Sequence, residues 1–195
     1  MLDTNSRTHR AMLAIATAAG TALALTACGP STPANSNAGN TNGASDQSTN
    51  QAAASPAWIL AAMPEDARPV GAVKASAVEG DTVAIRGRIG GRLEPISAES
   101  AVFTIVDPAI VSCDEMGEDH CPTPWDYCCE PRESLNANNA TIQLVDGAGR
   151  VMADTNPIAA GLDPLDEIVV VGTVGPRDNP TVLTILATGV YVVPN

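Results

Sequence analysis

The sequence predicts an all-β fold, a barrel of five strands with a cysteine-rich insert between the second and third strands. Three observations support this prediction. Five β-like segments bounded by turn residues occur after residue 80. Only one stretch before them, residues 57–63, has the composition of a helical turn. Four of the five cysteines fall within residues 112–131, in the gap between the second and third segments.

The composition limits both the core and the function. Hydrophobic residues make up 45% of the 195 residues but aromatic residues only 3%, so the core must be built from Val, Ile, Leu and Ala. The net charge of −12 repels polyphosphate, and non-specific nucleic-acid binding depends on Lys and Arg that neutralise phosphates. The charge therefore argues against nucleic acid as a partner and favours a soluble exported domain.

The N-terminus carries an export signal. Arg7, His9 and Arg10 precede an apolar run over residues 11–25. That run is too short to cross a bilayer, which needs about 20 apolar residues, and it has the order of a secretory signal peptide.

The residues that follow this run, Leu25-Thr26-Ala27-Cys28, resemble the lipobox of bacterial lipoproteins. The resemblance implies a signal peptide over residues 1–27 that is cleaved before Cys28. It also implies that Cys28 carries the lipid, palmitate included, and anchors the chain to a membrane. The expected location is the cell envelope, with the domain in the periplasm or outside the cell; an ordinary cleaved signal with a coincidental cysteine is the alternative.

Residues 28–56 predict a disordered tether. They are rich in Asn, Ser, Thr, Gly and Ala and contain almost nothing that could bury a core. A flexible coil of this length has an r.m.s. end-to-end distance of about 30 Å, enough to hold a domain clear of the headgroups.

The folded domain is predicted over residues 57–195, with the five strands in sequence order. Residues 82–90 alternate, with Val83, Ile85 and Ile89 on one face, and Gly87 at a position that suggests a bulge or bend. The others are residues 101–107, apolar on both faces; 140–146, with Ile142 and Leu144 inward; 167–174, a buried strand with Gly172 inside it; and 181–193. Residues 151–166 leave room for one short helix at most.

This pattern resembles the OB-fold, a five-stranded Greek-key barrel, over about residues 73–193. V-A-I-R-G-R-I and V-V-V-G-T-V, the first and fourth strands, both carry a glycine that permits a bend. A small β-sandwich of another topology is the alternative. The segments R-G-R-I-G-G-R, F-T-I-V-D-P and H-C-P-T-P-W-D-Y-C-C-E-P are also similar to a group of uncharacterised bacterial exported proteins, a resemblance that implies no known activity.

Two disulfides are the first interpretation of the insert. Once Cys28 is lipidated, the remaining cysteines are even in number and lie in an oxidising compartment. Direct bonding of the adjacent Cys128 and Cys129 would strain the ring across one peptide, so each is expected to pair with Cys113 or Cys121.

A metal site is the second interpretation, with zinc or copper as the ion; on the first interpretation no cofactor is required. The donors would be thiolates with one imidazole, on a segment with many carboxylates. Cysteines spaced C-x-x-C are absent, which weakens this interpretation. The donors are Cys113, His120, Cys121, Cys128 and Cys129, and the carboxylates are Asp114, Glu115, Glu118, Asp119, Asp126, Glu130 and Glu133. A redox role for a strained Cys128–Cys129 bridge is the third interpretation, opposed by the flanking acids, which raise thiol pKa values.

The rest of the chain offers little catalytic chemistry. Three arginines lie on or just after the first strand, which borders the usual ligand face of an OB barrel: Arg86, Arg88 and Arg92. A solvated strand face is the simpler interpretation, and an anion site is the alternative. The motifs of phosphate loops, EF-hands and G-x-S-x-G hydrolases are absent. We therefore expect a non-enzymatic binding or interaction module, whose partner is an envelope protein, a peptide or a glycan.

Overall fold

The computed structural model describes residues 55–117 and 121–194. These residues form six strands, two short α-helices and one 3-10 turn. The strands are β1 (Arg68–Pro69), β2 (Thr82–Ile89), β3 (Val102–Val106), β4 (Asn139–Leu144), β5 (Glu167–Val174) and β6 (Thr184–Val192). The helices are α1 (Val70–Ser76) and α2 (Arg132–Ala137), and the 3-10 turn spans Pro124–Asp126.

Five of these strands close into a barrel. The neighbours around it are β2, β3, β4, β6 and β5, and β5 pairs back with β2. All pairs are antiparallel except β4 with β6, which run parallel. This is the Greek-key closure of the OB-fold, and the prediction of an all-β, OB-like barrel is confirmed.

The hydrophobic core cluster of the barrel consists mostly of aliphatic side chains, with the aromatic rings of Trp58 and Phe103. Alternate residues of the strands point inward, as the two-residue period of a strand requires. Ile142 and Leu144 of β4 are fully buried, as predicted from their alternation. The same cluster contains, among others, Ile85, Ile89, Phe103, Ile105, Ile168, Val170, Ile185 and Val190.

The strand glycines Gly87 and Gly172 are both expected to permit a bend, and of the two only Gly172 lies at a register shift in the pairings of β2 and β5. The pairing of β2 with β5 continues through Gly87 without a shift of register, so no bulge occurs there in that ladder. A Cβ on Gly87 would instead lie 2.7 Å from the Ile105 side chain, which packs across that position. The register shift lies in β5 between Val171 and Gly172, where a Cβ would collide with the Leu186 carbonyl oxygen.

The segment before the barrel differs from the prediction. Residues 57–63 form a turn and a short bridge rather than a helical turn, because Leu60 N donates to Val190 O and Val190 N donates to Trp58 O. Helix α1 follows later in the chain. The preceding β1 pairs in parallel with Ile85 and Arg86 of β2, a part of β2 that β3 does not reach.

The insert lies between the two segments predicted to flank it, which are numbered β3 and β4 because the short strand β1 precedes the others. Residues 151–166 contain turns and no helix. The predicted signal peptide, most of the tether, Cys28 and His120 lie outside the described residues. Within the described ranges, no helix has the length and apolar character needed to cross a membrane.

Candidate metal centre

The insert leaves and rejoins the barrel at adjacent points. Asp107, at the end of β3, donates its backbone N–H to Asn138 O at 2.8 Å. Its buried carboxylate accepts hydrogen bonds from the backbone N–H groups of Gly71 and Ala109. Both ends of the insert are therefore fixed to the barrel and to α1, and the cysteines lie between two anchored points.

Two aromatic residues hold the insert against the end of β2. Trp125 donates its indole N–H to Leu93 O at 2.9 Å, and its own carbonyl accepts from Gly91 N at 2.8 Å. Tyr127 is 1% exposed and its ring lies directly against Gly90. Tyr127 adopts a left-handed conformation (φ 56°) that ends the 3-10 turn and sends the chain toward Cys128.

An ion pair fixes the other arm of the insert. Arg88 Nη1 of β2 lies 2.7 Å from Glu115 Oε2, which also accepts hydrogen bonds from the backbone and the hydroxyl of Ser112. The Arg88 hydrogen bond, followed by that of the Ser112 backbone, holds the pKa of Glu115 below its usual value. Glu115 thus closes the turn that carries Cys113 and ties it to the barrel wall.

The four cysteines of the insert converge on one sulfur. Cys128 Sγ lies 3.6 Å from Cys121 Sγ, 3.7 Å from Cys113 Sγ and 3.8 Å from Cys129 Sγ. Cys113 is buried, Cys121 is half-buried, and Cys128 and Cys129 are exposed. Sequence reasoning placed these residues in one cluster, and the structure brings them together.

These distances differ from the predicted pair of disulfides. Bonded sulfurs lie about 2.05 Å apart, whereas each distance here is 3.6–3.8 Å. The physical reason lies in the shape of the cluster. Two disulfides need two separate sulfur pairs, while here Cys128 is the shared neighbour of the other three.

The spacing matches the edge of a metal–thiolate tetrahedron. With Zn–S bonds of about 2.3 Å, tetrahedral geometry places neighbouring sulfurs about 3.8 Å apart. Cys113, Cys121, Cys128 and the carboxylate of Asp126 offer donor atoms that all lie within 4.8 Å of one another. The donor set of soft thiolates with one carboxylate fits Zn²⁺, and its sulfurs also fit Cu⁺.

Asp126 is a member of this group that sequence reasoning counted only among the carboxylates of the insert. Its Oδ1 accepts from Cys128 N and its Oδ2 from the Thr123 hydroxyl, both at 2.9 Å. These bonds close the turn that carries Cys128 into the cluster. The pattern Thr-x-x-Asp across the 3-10 turn, a relative of the helix capping box, was the available signal.

The pKa of the Cys128 thiol is perturbed by its neighbours. The neighbouring thiols of Cys121, Cys113 and Cys129, in that order, hold the pKa of Cys128 above its usual value. Burial raises the pKa of Tyr127, whose hydroxyl is buried and has no hydrogen-bond partner among the described residues. A bound cation would favour the Cys128 thiolate, which the neighbouring thiols disfavour.

The three arginines of the predicted ligand face, Arg86, Arg88 and Arg92, lie in different surroundings. Arg86 forms an ion pair with Glu167, Arg88 pairs with Glu115, and Arg92 is exposed in the loop after β2. A cavity of about 280 Å³ at Arg88 is otherwise lined by Ser112, Asp114, Glu115, Leu165 and Glu167. With three carboxylates against one paired guanidinium, this cavity does not favour an anion.

A larger groove, of about 610 Å³, lies between α1, α2 and the loop after β5. Lys74 is its buried cation, at 7% exposure. Its ammonium donates to Asn136 O, Asn139 O and Asn139 Oδ1 at 2.6–3.0 Å. Because an ammonium has three protons, Lys74 joins α1 to α2 and β4 and keeps none for a ligand.

Comparisons with protein families, curated proteins and solved structures find no match to this chain.

Proposed function

We propose that this protein binds a thiophilic metal ion, Zn²⁺ foremost, through Cys113, Cys121 and Cys128 of the insert. The fourth donor is the Asp126 carboxylate or the Cys129 thiolate. The observation that carries the proposal is the set of sulfur distances around Cys128, 3.6–3.8 Å, which are close to the edge of about 3.8 Å expected for a tetrahedral zinc–thiolate site. The barrel serves as the rigid support for this site.

The surroundings of the cluster support a cation. The net charge of the chain is −12, and the insert is rich in carboxylates. Asp114, Glu115 and Glu130 lie within three residues of a cluster cysteine, and Arg132 is the only Arg or Lys between residues 112 and 133. An acidic surface raises the local concentration of cations, so the ion is drawn to the thiolates.

The test is a titration of the full-length chain carrying Cys28→Ser, so that only the insert supplies thiols. The reduced, oxygen-free protein is titrated with Co²⁺, which reports thiolate ligation by sulfur-to-metal charge-transfer absorption. Zn²⁺ then displaces it. We expect one ion per chain, with visible bands of tetrahedral intensity.

Single substitutions identify the ligands. Cys113→Ser, Cys121→Ser and Cys128→Ser should each weaken Zn²⁺ binding by more than about a hundredfold, beyond the loss typical of outer-shell residues. Asp126→Asn and Cys129→Ser show which residue supplies the fourth donor. Met116→Leu is the control, since it changes an exposed thioether of the same insert. A titration without charge-transfer absorption, or equal affinity in all these variants, refutes the proposal.

We also propose that the protein acts at the bacterial cell envelope, anchored to a membrane by lipid on Cys28. The support is the sequence alone: the apolar run, the lipobox-like Leu25-Thr26-Ala27-Cys28 and the polar tether. An alkyne analogue of palmitate should label the wild-type chain in membranes of a bacterial host. The Cys28→Ser variant should be unlabelled, and equal labelling of both chains would exclude Cys28 as the lipid site.

A non-catalytic binding module is the second candidate function, with an envelope protein, a peptide or a glycan as its partner. The OB-like closure of the barrel favours it, although fold alone does not specify a ligand. Crosslinking of the anchored chain in envelopes, with and without Zn²⁺, separates the two candidates. A partner captured equally in both conditions supports the binding module.

A further inference from the structure

The sulfur at the centre of the cluster is also placed for redox chemistry. We infer that Cys128 and Cys121 form an intramolecular disulfide by reaction with a small-molecule disulfide, and that this reaction expels the bound Zn²⁺. The inference rests on the proposed metal site, and it assigns the reacting pair among the four cysteines.

The assignment to Cys128 follows from its position. Its sulfur contacts all three others, at 3.6–3.8 Å. It is also exposed, so a disulfide in solution can reach it. Cys113, by contrast, is 1% exposed. Cys128 therefore forms the mixed disulfide first, and each of the other cysteines can then approach its sulfur.

Cys121 is the partner that the geometry favours. Its sulfur is the nearest to Cys128, at 3.6 Å, and must move about 1.6 Å closer to reach bonding distance. The intervening chain already reverses through the 3-10 turn Pro124–Asp126. Bonding to Cys129 would close a strained ring across one peptide. Cys113 Sγ lies 3.7 Å from Cys128 Sγ, but Cys113 is 1% exposed and packed, so its sulfur has less room to move than that of the half-buried Cys121.

The reaction balances without a further reagent. The Cys128 thiolate attacks the small disulfide RSSR, forms a mixed disulfide and releases one thiolate, RS⁻. The Cys121 thiolate then attacks the Cys128 sulfur, forms the Cys121–Cys128 bond and releases the second RS⁻. Two protein thiolates give up two electrons and RSSR takes them up. Zinc keeps its oxidation state and leaves because the thiolates of Cys121 and Cys128 no longer bind it.

The experiment uses the full-length Cys28→Ser chain, loaded with one Zn²⁺ and exposed to oxidised glutathione. A chromogenic zinc chelator reports release, and free glutathione thiols are counted. We expect one Zn²⁺ and two glutathione thiols per disulfide formed. Cleavage before aspartate then maps the bond, because Asp114, Asp119 and Asp126 separate Cys113, Cys121 and the Cys128–Cys129 pair onto different peptides. Fragmentation between residues 128 and 129 assigns the sulfur.

The variants separate this inference from the metal proposal. In the metal-free protein, Cys113→Ser and Cys129→Ser should still form the Cys121–Cys128 bond, since neither contributes a reacting sulfur. A Cys113–Cys128 or Cys128–Cys129 bond overturns the assignment, and so does Zn²⁺ that stays bound after oxidation. Failure of the reduced protein to bind Zn²⁺ refutes the metal proposal, while the peptide map still tests the reacting pair.

Discussion

Gly90 is the residue on which the insert closes against the barrel. A Cβ at this position would lie 2.7 Å from both Trp125 O and Tyr127 Cε2, too close for real atoms. We therefore expect Gly90→Ala to displace the Tyr127 ring and to lower the free energy of unfolding by about 1–3 kcal/mol, the range for overpacked sites. Urea denaturation followed by circular dichroism measures the change.

The matched control is Gly147→Ala, in the turn after β4, where a Cβ would meet nothing within 4 Å. Its unfolding free energy should stay within about 0.5 kcal/mol of the parent. Equal stability of the two variants would mean that the insert does not pack against Gly90 in solution.

Lys74 should make the folded protein more stable as pH rises, whereas a salt-bridged cation has the opposite effect. Burial, and then the nearby Arg177 guanidinium, lower the pKa of Lys74 to about 8 from 10.5. Between these values the unfolded chain binds more protons than the folded one, so the Lys74 contribution to stability rises with pH. The three oxygen acceptors favour the ammonium, so the rise should be about 1–3 kcal/mol.

The measurement compares the unfolding free energy at pH 7.5 and pH 10, about the two ends of that window. Because thiols and phenols also titrate there, the informative quantity is the difference between the parent and Lys74→Met. The variant should be less stable at both pH values, and its stability should rise less with pH. Parallel pH profiles for the two proteins would show that Lys74 is not perturbed by the fold.

At the level of structural elements, the turn at residues 112–117, which Glu115 joins to β2, should open independently of the barrel. Glu115 joins the turn at Ser112 to Arg88 of β2. We expect Glu115→Gln to increase amide hydrogen exchange at residues 112–117 and to leave β2 and β5 protected. Glu167→Gln is the control, because it breaks the Arg86 ion pair on the same strand and leaves the Arg88–Glu115 pair in place. Equal exchange at residues 112–117 in both variants would contradict this role.

The strands were predictable because their signal is local. Residues 82–90 and 167–174 alternate or run apolar within one segment, and both lie within one residue of the observed β2 and β5. The short elements were not. Helices α1 and α2 have seven and six residues, too few to hold together without tertiary contacts. Both are held by hydrogen bonds across long sequence separations, from Lys74 to Asn136 O and from Asp107 N to Asn138 O, which no local pattern reveals.

The cysteine site was predictable in membership but not in geometry. An even set of cysteines in a short insert indicates a cluster, and the same residues serve disulfides or a metal. Only the three-dimensional arrangement shows that three sulfurs surround Cys128. That arrangement depends on contacts outside the insert, of Trp125 with Leu93 and of Arg88 with Glu115. The cysteine spacing alone contains no trace of these contacts.

At the scale of the whole molecule, the barrel should not need its cysteines. Among the described residues, the hydrophobic cluster of the barrel contains none from 107–138, and the buried Cys113 and Tyr127 lie outside it. Replacing Cys113, Cys121, Cys128 and Cys129 together by Ser should therefore abolish metal binding but lower the unfolding free energy by only about 1–3 kcal/mol. Most of that loss should come from Cys113→Ser, which buries a serine hydroxyl at a site that is 1% exposed.

Ile142→Ala, a single substitution in the barrel core, should lower the free energy of unfolding by about 2–5 kcal/mol. It should therefore destabilise the protein as much as, or more than, the four substitutions in the insert together. Urea denaturation gives both values, and hydrogen exchange should place the four-serine defect in the insert while the strands stay protected. Loss of cooperative unfolding in the four-serine variant would instead make the cysteines, in whatever bonded state, part of what folds the barrel. The metal would then be required for folding rather than carried by a fold that forms without it.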